Sequence, residues 1–437
     1  MSVVVAPTQA SIYETMEIFP LEEGGEPIEL KGGVVEFQYF ENLFSPYLTA
    51  NLTIVNDGYG DTANLYNELP IRGGEKVKLH VTTPWEQADE EVPGKLELTM
   101  YVNRISNYIQ QKSFESYTLQ LVSKEAILNL RKRVTKKYKG KRIDEIIKVF
   151  LDLVEIEDDG IDGELEETTN TYNFIGNLRK PFTLAPMLAA RGIPKGGNSS
   201  DAGFLLWQTR KGMRFRSLKS IITKTEEHYE HGYYFNQENV GDEAAVWTKI
   251  ITYVVDKSNN VTGASRVGEY SSYRIYFNPH SLEFTQPNES RFTSKTEGGD
   301  DTQEQLGKTS SQITELADPN NITESEFAQR IVSGVLNVGC LDKEVNKDVN
   351  MDQMQDISQS ISRYSSIFNQ SVNLTVPVNV ELCAGDVINC NFPKSKTGKG
   401  EQDTEQSGLY IIKELTHYFT PNKSYTALKI IRDTSGV

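Results

Sequence analysis

Apolar and polar residues alternate at a spacing of two in two parts of the chain, one near each end. The first part runs from Gly33 to Lys124, and the second begins at Val372. This spacing places successive apolar side chains on one face of a strand, so both parts are predicted to form antiparallel β-structure. The apolar residues that share strand faces in the first part are Leu48, Ala50, Leu52, Ile54, Val77, Leu79 and Val81.

Short sequence phrases occur in the same order in both parts. Each part has an Asn-Leu-Thr triplet, a glycine followed by an acid, a long strand that ends at a tyrosine, and a Ser-Tyr-Thr triplet. The phrases lie at 51–53, Gly74-Glu75, 96–108 and 116–118 in the first part and at 373–375, Gly385-Asp386, 409–418 and 424–426 in the second. The repetition predicts two similar β-domains, and three such chains would present six equivalent units in a closed ring.

Between these two parts the apolar spacing changes to three and four, which predicts helices. One helix is predicted from Ile143 to Val154, and a second from Pro181 to Arg191, closed by Gly192. A hairpin is predicted over 203–222, turning at Lys211-Gly212, with a core of Phe204, Leu206, Phe215 and Leu218. Residues 125–225 are therefore predicted to form an inserted α+β domain.

Strands are predicted again from Tyr233 to Phe284, with turn-forming residues at 256–263. The polar composition of 285–320 predicts a long mobile loop. A following helix has an apolar stripe, which favours packing on the protein's own core over docking of a partner. That stripe consists of Met351, Met354, Ile357, Ile361, Tyr364 and Phe368.

The pattern divides the chain into four predicted regions and a mainly β (α+β) fold. Two are similar antiparallel β-barrels or strongly curved sheets, and the others are the inserted α+β domain and a mobile polar insertion with an amphipathic helix. The boundaries are 1–124 for the first barrel, 125–225 for the inserted domain, 226–284 and 366–437 for the second barrel, and 285–365 for the polar insertion.

Composition and charge narrow the possible functions. Of the 437 residues, 38% are hydrophobic and 10% aromatic, which favours β-rich globular structure. The formal net charge of −16 opposes general nucleic-acid binding and is compatible with a surface along which DNA slides. No apolar run is long enough for a membrane helix. The first ten residues lack a secretory signal, which predicts folding in a cytoplasm. Cys340, Cys383 and Cys390 lack metal-type spacing and are expected to be small buried hydrophobes.

Two clusters resemble metal sites. His228 and His231 have a spacing found in metal-binding helices, but the neighbouring tyrosines favour extended structure and no third ligand is evident. The acids between Glu155 and Glu166 mimic a calcium loop, although its first position is Glu and no helical pattern follows. An exposed strand end and a solvated acidic turn are the preferred interpretations. The members of the calcium-like pattern are Glu155, Glu157, Asp159, Gly160 and Glu166.

Other chemical signals are weak. The basic run Arg131–Arg142 fits an acidic partner or passing DNA, but a solvated linker that partly pairs with the acidic block at 155–167 is preferred. No glycine cluster has phosphate-loop spacing, and no serine lies in a nucleophile elbow. Paired carboxylates of a glycosidase cannot be recognised among 61 acidic residues.

Several stretches of the chain resemble the baseplate central hub protein of contractile-tailed bacteriophages. These are FQYFENLFSPYLTANLTIV at 37–55, SYTLQLVSKEA at 116–126, AGFLLW at 202–207, SGLYII at 407–412 and IIRD at 430–433. The resemblance implies a homotrimer whose six tube-type β-barrels form a pseudo-sixfold ring. Such a ring joins the sixfold tail tube to a threefold central spike and leaves a channel for DNA ejection.

We therefore expect a structural hub in the tail baseplate of a virion. The expected partners are two further copies of the chain, the tail tube protein, a separate spike protein and other baseplate proteins, with DNA only in transit. No catalytic residue, cofactor or metal site is predicted. The alternatives are a tail-tip cell-wall hydrolase and a glycan-binding adhesin module.

Overall fold

The structure is a computed structural model. It describes residues 8–21, 25–56, 71–84, 94–111, 114–197, 201–223, 232–235, 248–256, 260–269, 271–279, 281–284, 291–293, 306, 330–335, 353–394 and 402–434.

Strands dominate the described residues. In the first half of the chain they are β1 Ile12–Phe19, β2 Ile28–Glu29, β3 Val34–Asn42, β4 Thr49–Asn56, β5 Lys76–Thr82, β6 Lys95–Gln110, β7 Glu115–Val122, β8 Lys137–Tyr138, β9 Phe174–Ile175, β10 Phe204–Thr209 and β11 Gly212–Ser217. In the second half they are β12 Gly232–Phe235, β13 Lys249–Ile250, β14 Thr252–Asp256, β15 Ser271–Asn278, β16 Glu283–Phe284, β17 Arg291–Thr293, β18 Arg330–Val335, β19 Gln370–Pro377, β20 Val387–Asn391, β21 Gly408–Phe419 and β22 Ser424–Arg432.

The described helices lie mainly between the two strand-rich parts. They are α1 Lys124–Arg131, α2 Ile143–Leu153, α3 Pro181–Ala189, α4 Leu218–Thr223, α5 Val261–Val267 and α6 Gln353–Ser366, with short 3-10 turns at Lys31–Gly33 and Asp158–Gly160.

Fourteen strands from both parts of the chain form one continuous sheet. Its main path is β13-β12-β20-β21-β3-β4-β7-β6-β5-β1-β2, and a branch runs from β21 through β22 and β19 to β14. The remaining strands form the hairpin β10-β11, the pair β8-β9 and a small sheet in which β16, β17 and β18 all pair with β15. The predicted mainly β fold is confirmed, and the two predicted β-units are joined edge to edge.

The two units have the same strand order. The first strand set is β3-β4-β7-β6-β5-β1, and the second strand set is β14-β19-β22-β21-β20-β12. Every neighbouring pair in the two sets is antiparallel except β12 and β20, which are parallel. The repeated sequence phrases therefore correspond to a repeated topology.

Strand register shows which phrases are structurally equivalent. Leu52 lies opposite Leu119, and Leu374 lies opposite Leu428, so the two Asn-Leu-Thr triplets match. This alignment places Tyr117 at the position of Thr426, one residue away from Tyr425. Tyr117 is buried in the core, whereas Tyr425 faces outward and stacks on Tyr418 with ring centroids 4.9 Å apart. A shift of one residue reverses the face of a side chain, so the Ser-Tyr-Thr triplets are not equivalent.

The glycine–acid pair forms the same backbone contact in each set. Gly74 N donates to Val102 O at 2.7 Å, and Val102 N donates to Glu75 O at 2.9 Å. In the second set, Gly385 N donates to Ile412 O at 2.8 Å, and Ile412 N donates to Asp386 O at 2.9 Å. Both glycines have positive φ, 98° and 88°, a conformation that favours glycine. The recurrence of this phrase therefore has a conformational cause.

One hydrophobic core extends beneath both strand sets. It includes Phe37 and Leu52 of the first set together with Leu374 and Phe419 of the second. The predicted apolar faces of β4 and β5 all lie in this core. Removing apolar area from water contributes about 25 cal/mol per Å² buried, so a shared core stabilises the two sets together.

A second core belongs to the segment between the strand sets. The predicted helices are observed as α2 and α3, and the apolar face of α2 packs with Phe174, Phe204 and Phe215. The predicted hairpin turns at Arg210-Lys211, and the chain then forms α4 where the prediction had extended strand. The predicted core residues Phe204, Leu206, Phe215 and Leu218 are buried.

Helix α6 buries a polar face that its sequence pattern did not predict. Ser358, Ser360 and Ser362 are buried, while Ile357 and Ile361 of the predicted apolar stripe are only half-buried. Ser360 Oγ donates to Ala190 O at 2.6 Å, and Ser362 Oγ donates to Glu269 O at 2.6 Å. Small hydroxyl side chains allow close approach to neighbouring backbone, and here they bridge the α3 and α5 segments by hydrogen bonds.

The predicted polar loop at 285–320 lies mostly outside the described residues. Within it, Arg291–Thr293 is the strand β17, which pairs with β15. Leu306 is buried, and its N–H donates to Asp433 Oδ1 at 3.1 Å. These two segments are ordered pieces where a loop was predicted. Of the cysteines, Cys383 and Cys390 are buried free thiols, as expected, and Cys340 lies outside the described residues.

No helix in the described ranges combines the length and apolar character needed to cross a membrane.

Gly385→Ala is expected to destabilise the chain more than the matched change Gly74→Ala. Both substitutions strain a left-handed backbone, which costs about 1–3 kcal/mol. A Cβ at Gly385 would also lie 2.5 Å from Trp207 Cζ2, whereas at Gly74 the nearest atom is Leu21 Cδ2 at 3.8 Å. Such overpacking adds about 1–3 kcal/mol. Urea unfolding of both variants measures the difference, and equal losses of stability would contradict the close packing described at Gly385.

Candidate assembly interface

Strand β21 joins the two strand sets because its edge is divided between two partners. Its first part, Gly408–Ile411, pairs with β20, and its last part, Glu414–Phe419, pairs with β3. A β-bulge between Ile412 and Glu414 separates the two parts. A bulge bends and twists a strand locally, which allows a different neighbour to pair beyond it.

Aromatic stacking reinforces this junction. Phe37 and Phe419 lie opposite each other and stack with ring centroids 5.6 Å apart. Tyr39 and His417 stack in the same way at 5.9 Å. Cross-strand aromatic pairs contribute about 0.2–1 kcal/mol each. The junction is therefore stabilised by side chains as well as by the backbone ladder.

A buried carboxylate, Glu41, connects three parts of the chain at this junction. It lies on β3 and is 2% exposed. Its Oε1 accepts hydrogen bonds from Tyr39 Oη and Arg210 N, and its Oε2 accepts from Ala384 N, each at 2.7 Å. Burial raises the pKa of Glu41, and the three donors oppose that shift. Glu41 thus ties the first strand set to the β10–β11 turn and to the second set.

Two arginines of the β10-β11 hairpin also contact the second strand set. Arg210 donates to Val380 O and to Glu381 Oε1, both at 2.5 Å. Arg214 lies between Asp162 Oδ2 at 2.5 Å and Asp386 Oδ1 at 2.7 Å. Burial alone would lower the pKa of Arg214, but the nearby Asp386 and Asp162 carboxylates raise it. These paired charges hold the hairpin against the loop that precedes β20.

His417 is a buried base at the centre of the junction. Its Nδ1 lies 2.9 Å from Thr426 Oγ1, and its Nε2 has no hydrogen-bond partner among the described residues. Burial, assisted by the positive charge of Arg210, lowers the pKa of His417 to about 3. The imidazole is therefore neutral at physiological pH.

Within the fourteen-stranded sheet, the last part of β6 and the whole of β14 carry no neighbouring strand on their outer edges among the described residues. The last part of β6, Arg104–Gln110, pairs with β7 on one side only. Strand β14 pairs only with β19. The ends of the main sheet path, β2 and β13, are two residues long. Short edges limit unwanted pairing, whereas longer edges present a row of backbone groups to another chain.

The candidate metal sites are not assembled in the described part of the chain. His228 and His231 lie outside the described residues. Glu155 contacts Lys124 Nζ at 2.9 Å, and Glu166 accepts hydrogen bonds from Ser217 N and Oγ, both at 2.7 Å. The two carboxylates are thus directed to different partners. Among the described residues, no group of three or more His, Cys, Asp or Glu side chains could hold an ion.

The remaining acids of the calcium-like pattern, Glu157 and Asp159, face a cleft of about 540 Å³ that also contains Glu97 and Glu125. Hydrogen bonding to Lys124 lowers the pKa of Glu155 in this cleft. A glycosidase needs a general acid whose pKa is raised. The carboxyl groups with raised pKa in the described chain are Glu41, Glu269 and Asp433; all three are buried and none of them lines the cleft.

The basic run is partly paired within the chain, as expected. Lys132 Nζ lies 3.8 Å from Glu155, and Arg142 contacts Asp144 at 2.8 Å and Glu167 at 3.7 Å. The pairs with Glu155 and Glu167 are exposed and contribute about 0–1 kcal/mol each, whereas Asp144 is buried. The run therefore belongs in large part to the surface of the inserted segment.

Glu41, Arg210, Arg214 and His417 were not predicted as functional residues from the sequence. A signal for Glu41 was present, because it follows Phe37 and Tyr39 at the spacing of inward-facing positions on a strand. An acid at such a position requires buried donors. One donor, Tyr39, is two residues away, but the other two come from residues 169 and 343 positions away, and only the fold identifies those.

Comparison with known proteins supports a phage tail origin. No family model matches the chain. It is 23% identical over 366 residues to a probable baseplate hub protein, gp334, of Vibrio phage KVP40, covering 78% of this chain and 81% of that protein. The resemblance to phage baseplate hub proteins is confirmed by this relative, which indicates a location in the virion tail baseplate.

Solved structures share the fold at lower sequence identity. A 43 kDa tail protein of prophage MuSo2 from Shewanella oneidensis is similar with a TM-score of 0.53 and 10% identity, covering 96% of this chain and 100% of that one. A tail protein from Neisseria meningitidis MC58 is similar with a TM-score of 0.50 and 8% identity, covering 97% and 96%. The mainly β architecture described above is therefore shared with these tail proteins. The similarity to gp334 supports a function as a phage baseplate hub or tail protein.

Glu41→Ala is expected to destabilise the chain strongly. The change leaves Tyr39 Oη, Arg210 N and Ala384 N without their acceptor in a buried site, and each such group costs about 1–3 kcal/mol. Glu41→Gln keeps one oxygen acceptor, so we expect a smaller loss. The exposed Glu14→Ala on β1 is the control and should change the free energy of unfolding little. Similar unfolding midpoints for all three variants in urea would show that Glu41 does not tie the junction together.

Mild acid is expected to destabilise the chain through His417. The folded-state pKa is about 3, below the usual 6.5, so the unfolded state binds the proton first as the pH falls below 6.5. The folded chain then loses about 1.4 kcal/mol per pH unit from this residue. His417→Phe keeps an aromatic ring and removes this titration. Unfolding measured from about pH 7.5 to about pH 5.5 should separate the two proteins. Parallel pH curves would rule out this role of His417.

Proposed function

We propose that the chain is the structural hub of a phage tail baseplate. In this proposal three copies form a ring with pseudo-sixfold symmetry, which joins a sixfold tail tube to a threefold central spike. The hole of the ring is the passage for ejected DNA. The observation that carries the proposal is the repeated strand order, because two equivalent strand sets per chain give six equivalent units in a trimer.

The two ends of the strand sets differ in a way that suits such an adaptor. At one end, the β6–β7 turn is closed by Gln111 N donating to Phe114 O, and the β21–β22 turn by Thr420 N donating to Lys423 O, both at 2.9 Å. These turns are alike in the two sets. We propose that this end of the ring faces the sixfold tail tube.

The opposite end of the two sets is not alike. In the first set, β3 and β4 are joined by the short connection 43–48, whereas in the second set β14 and β19 are joined by residues 257–369. The segment that contains α1 to α4 also leaves the sheet at this end, directly after β7. Three copies of each unequal connection produce threefold symmetry, so we propose that this end faces the spike.

These connections also support the proposed division of the chain. Residues 1–124 and the combination of 226–284 with 366–437 would form the two tube-type units. Residues 125–225 and 285–365 would form the two insertions at the threefold end.

A structural role without catalysis accords with two observations. The pKa of Glu155 in the cleft is lowered, and the three carboxyl groups whose pKa is raised are buried and do not line the cleft. The alternatives, a cell-wall hydrolase or an adhesin, have no observation of their own in their favour. Peptidoglycan zymography is therefore expected to show no clearing.

The test of the ring is the mass of the purified protein in solution. Light scattering coupled to size exclusion should give three times the 49.2 kDa of one chain at micromolar concentration. Negative-stain images should show a ring with a central hole wide enough for duplex DNA. A monomer that stays monomeric when the tail tube protein is added would refute the proposal.

A further inference from the structure

Strand β6 matches the junction strand β21 as far as its first bulge, but beyond that bulge its outer edge pairs with no strand among the described residues. Its first half, Lys95–Tyr101, pairs with β5, as the first half of β21 pairs with β20. A bulge follows between Val102 and Arg104, at the position that corresponds to the bulge between Ile412 and Glu414. Beyond that bulge, β21 pairs with β3, whereas the outer edge of Arg104–Gln110 of β6 pairs with no strand among the described residues. A second bulge of β6, between Ser106 and Ile109, has no counterpart in β21, so the two strands are equivalent from Arg104 to Ser106.

Strand β14 has the same place in the second strand set as β3 has in the first. Phe37 of β3 pairs with Leu52, and Tyr253 of β14 pairs with Leu374, the equivalent leucine of the second set. The outer edge of β3 is covered by β21. The outer edge of β14 carries no strand among the described residues. Each chain therefore carries a counterpart of β21 on its first strand set, which is the last part of β6, and a counterpart of β3 on its second strand set, which is β14.

Both open edges have the composition of an interface. Val254 on β14 is 65% exposed, and Ile109 on β6 is 52% exposed. Neither stretch contains a proline or a lysine, the residues that commonly protect edge strands from pairing. Their exposure and length contrast with the two-residue strands β2 and β13 that end the main sheet path.

We propose that residues Arg104–Gln110 of one chain pair in antiparallel fashion with β14 of a second copy, in the register of the β21–β3 pair at Ser106 and with a shift of one residue beyond the second bulge. The inference rests on the proposed trimer and names the contact that closes it. Three such contacts between chains and three β21–β3 contacts within chains give six equivalent junctions around the ring. A head-to-tail contact of this kind forms a closed ring when its rotation closes.

The internal junction also gives the register of the proposed contact. Thr416 of β21 lies opposite Phe40 of β3. The residue that corresponds to Thr416 is Ser106, because Leu415 and Ile105 lie opposite Leu428 and Leu119. The residue that corresponds to Phe40 is Asp256, three positions after Tyr253. Ser106 of one chain should therefore lie opposite Asp256 of the next.

Cysteine crosslinking tests this register. Opposite residues of antiparallel strands have Cα atoms about 4.5–5.5 Å apart, within the range for a disulfide. The double variant Ser106→Cys with Asp256→Cys, in a Cys340→Ser background, should form covalent dimers and trimers under mild oxidation. Each single variant is a control. A further control, Ser106→Cys with Thr252→Cys, places the second thiol about 13 Å along the strand and should remain uncrosslinked.

The outcomes separate this contact from the trimer itself. Covalent trimers in the Ser106 and Asp256 pair alone support the pairing. A protein that has trimer mass but forms no disulfide between chains overturns the pairing and leaves the proposed function in place. A monomeric parent protein, with or without the tail tube protein, overturns both.

A second variant covers the case in which the cysteine protein does not fold. Val254→Asp changes a side chain that is exposed in the single chain, so folding should be retained, whereas trimer association should weaken at least tenfold. Leu130→Asp makes the same change at a residue of α1 that is 56% exposed and distant in sequence from both edges. Equal association of the two variants would also overturn the pairing.

Discussion

The fold depends on one constraint of β-structure, which is that each part of a strand edge can pair with only one neighbour. Strand β21 satisfies it by changing partner at a bulge. Before the bulge it pairs with β20 of the second set, and beyond the bulge it pairs with β3 of the first set. The shared core, the stacked aromatic pairs and the branch of the sheet at β21 all follow from this division. Strand β6 has a bulge at the equivalent place. Among the described residues, however, β21 pairs with another strand on its outer edge beyond this bulge and β6 does not.

Buried polar groups then fix the inserted segment to this junction. Glu41 would be unfavourable in an apolar core without donors, and its donors come from the β10–β11 turn and from the loop before β20. The hairpin therefore has a defined position on the sheet. Arg210 and Arg214 form ion pairs on the same side. Polar contacts as well as apolar packing therefore fix the position of the insertion. This arrangement ties the position of the insertion to the integrity of the junction.

Much of the fold could be predicted from spacing alone, since the inward residues of β4 and β5, helix α2 and the repeated order of the phrases all depend on local periodicity. Register could not, because Tyr117 and Tyr425 stand in identical triplets but face opposite sides of the sheet. The serine face of α6 was also missed, because its partners Ala190 and Glu269 are distant in sequence. The junction residues Glu41 and His417 are recognisable only once both strand sets are placed side by side.

The polar contact face of α6 has a consequence for the way the hub could respond to load. Separating an apolar interface exposes hydrocarbon to water, whereas separating the serine face of α6 exposes hydroxyls and carbonyl oxygens that water can solvate. The chain directly after this helix also buries Ile367 among apolar side chains, so separation there costs apolar burial as well. The hydrogen bonds of Ser360 and Ser362 act over a short range, so under a separating force they break at a smaller displacement than the apolar contact.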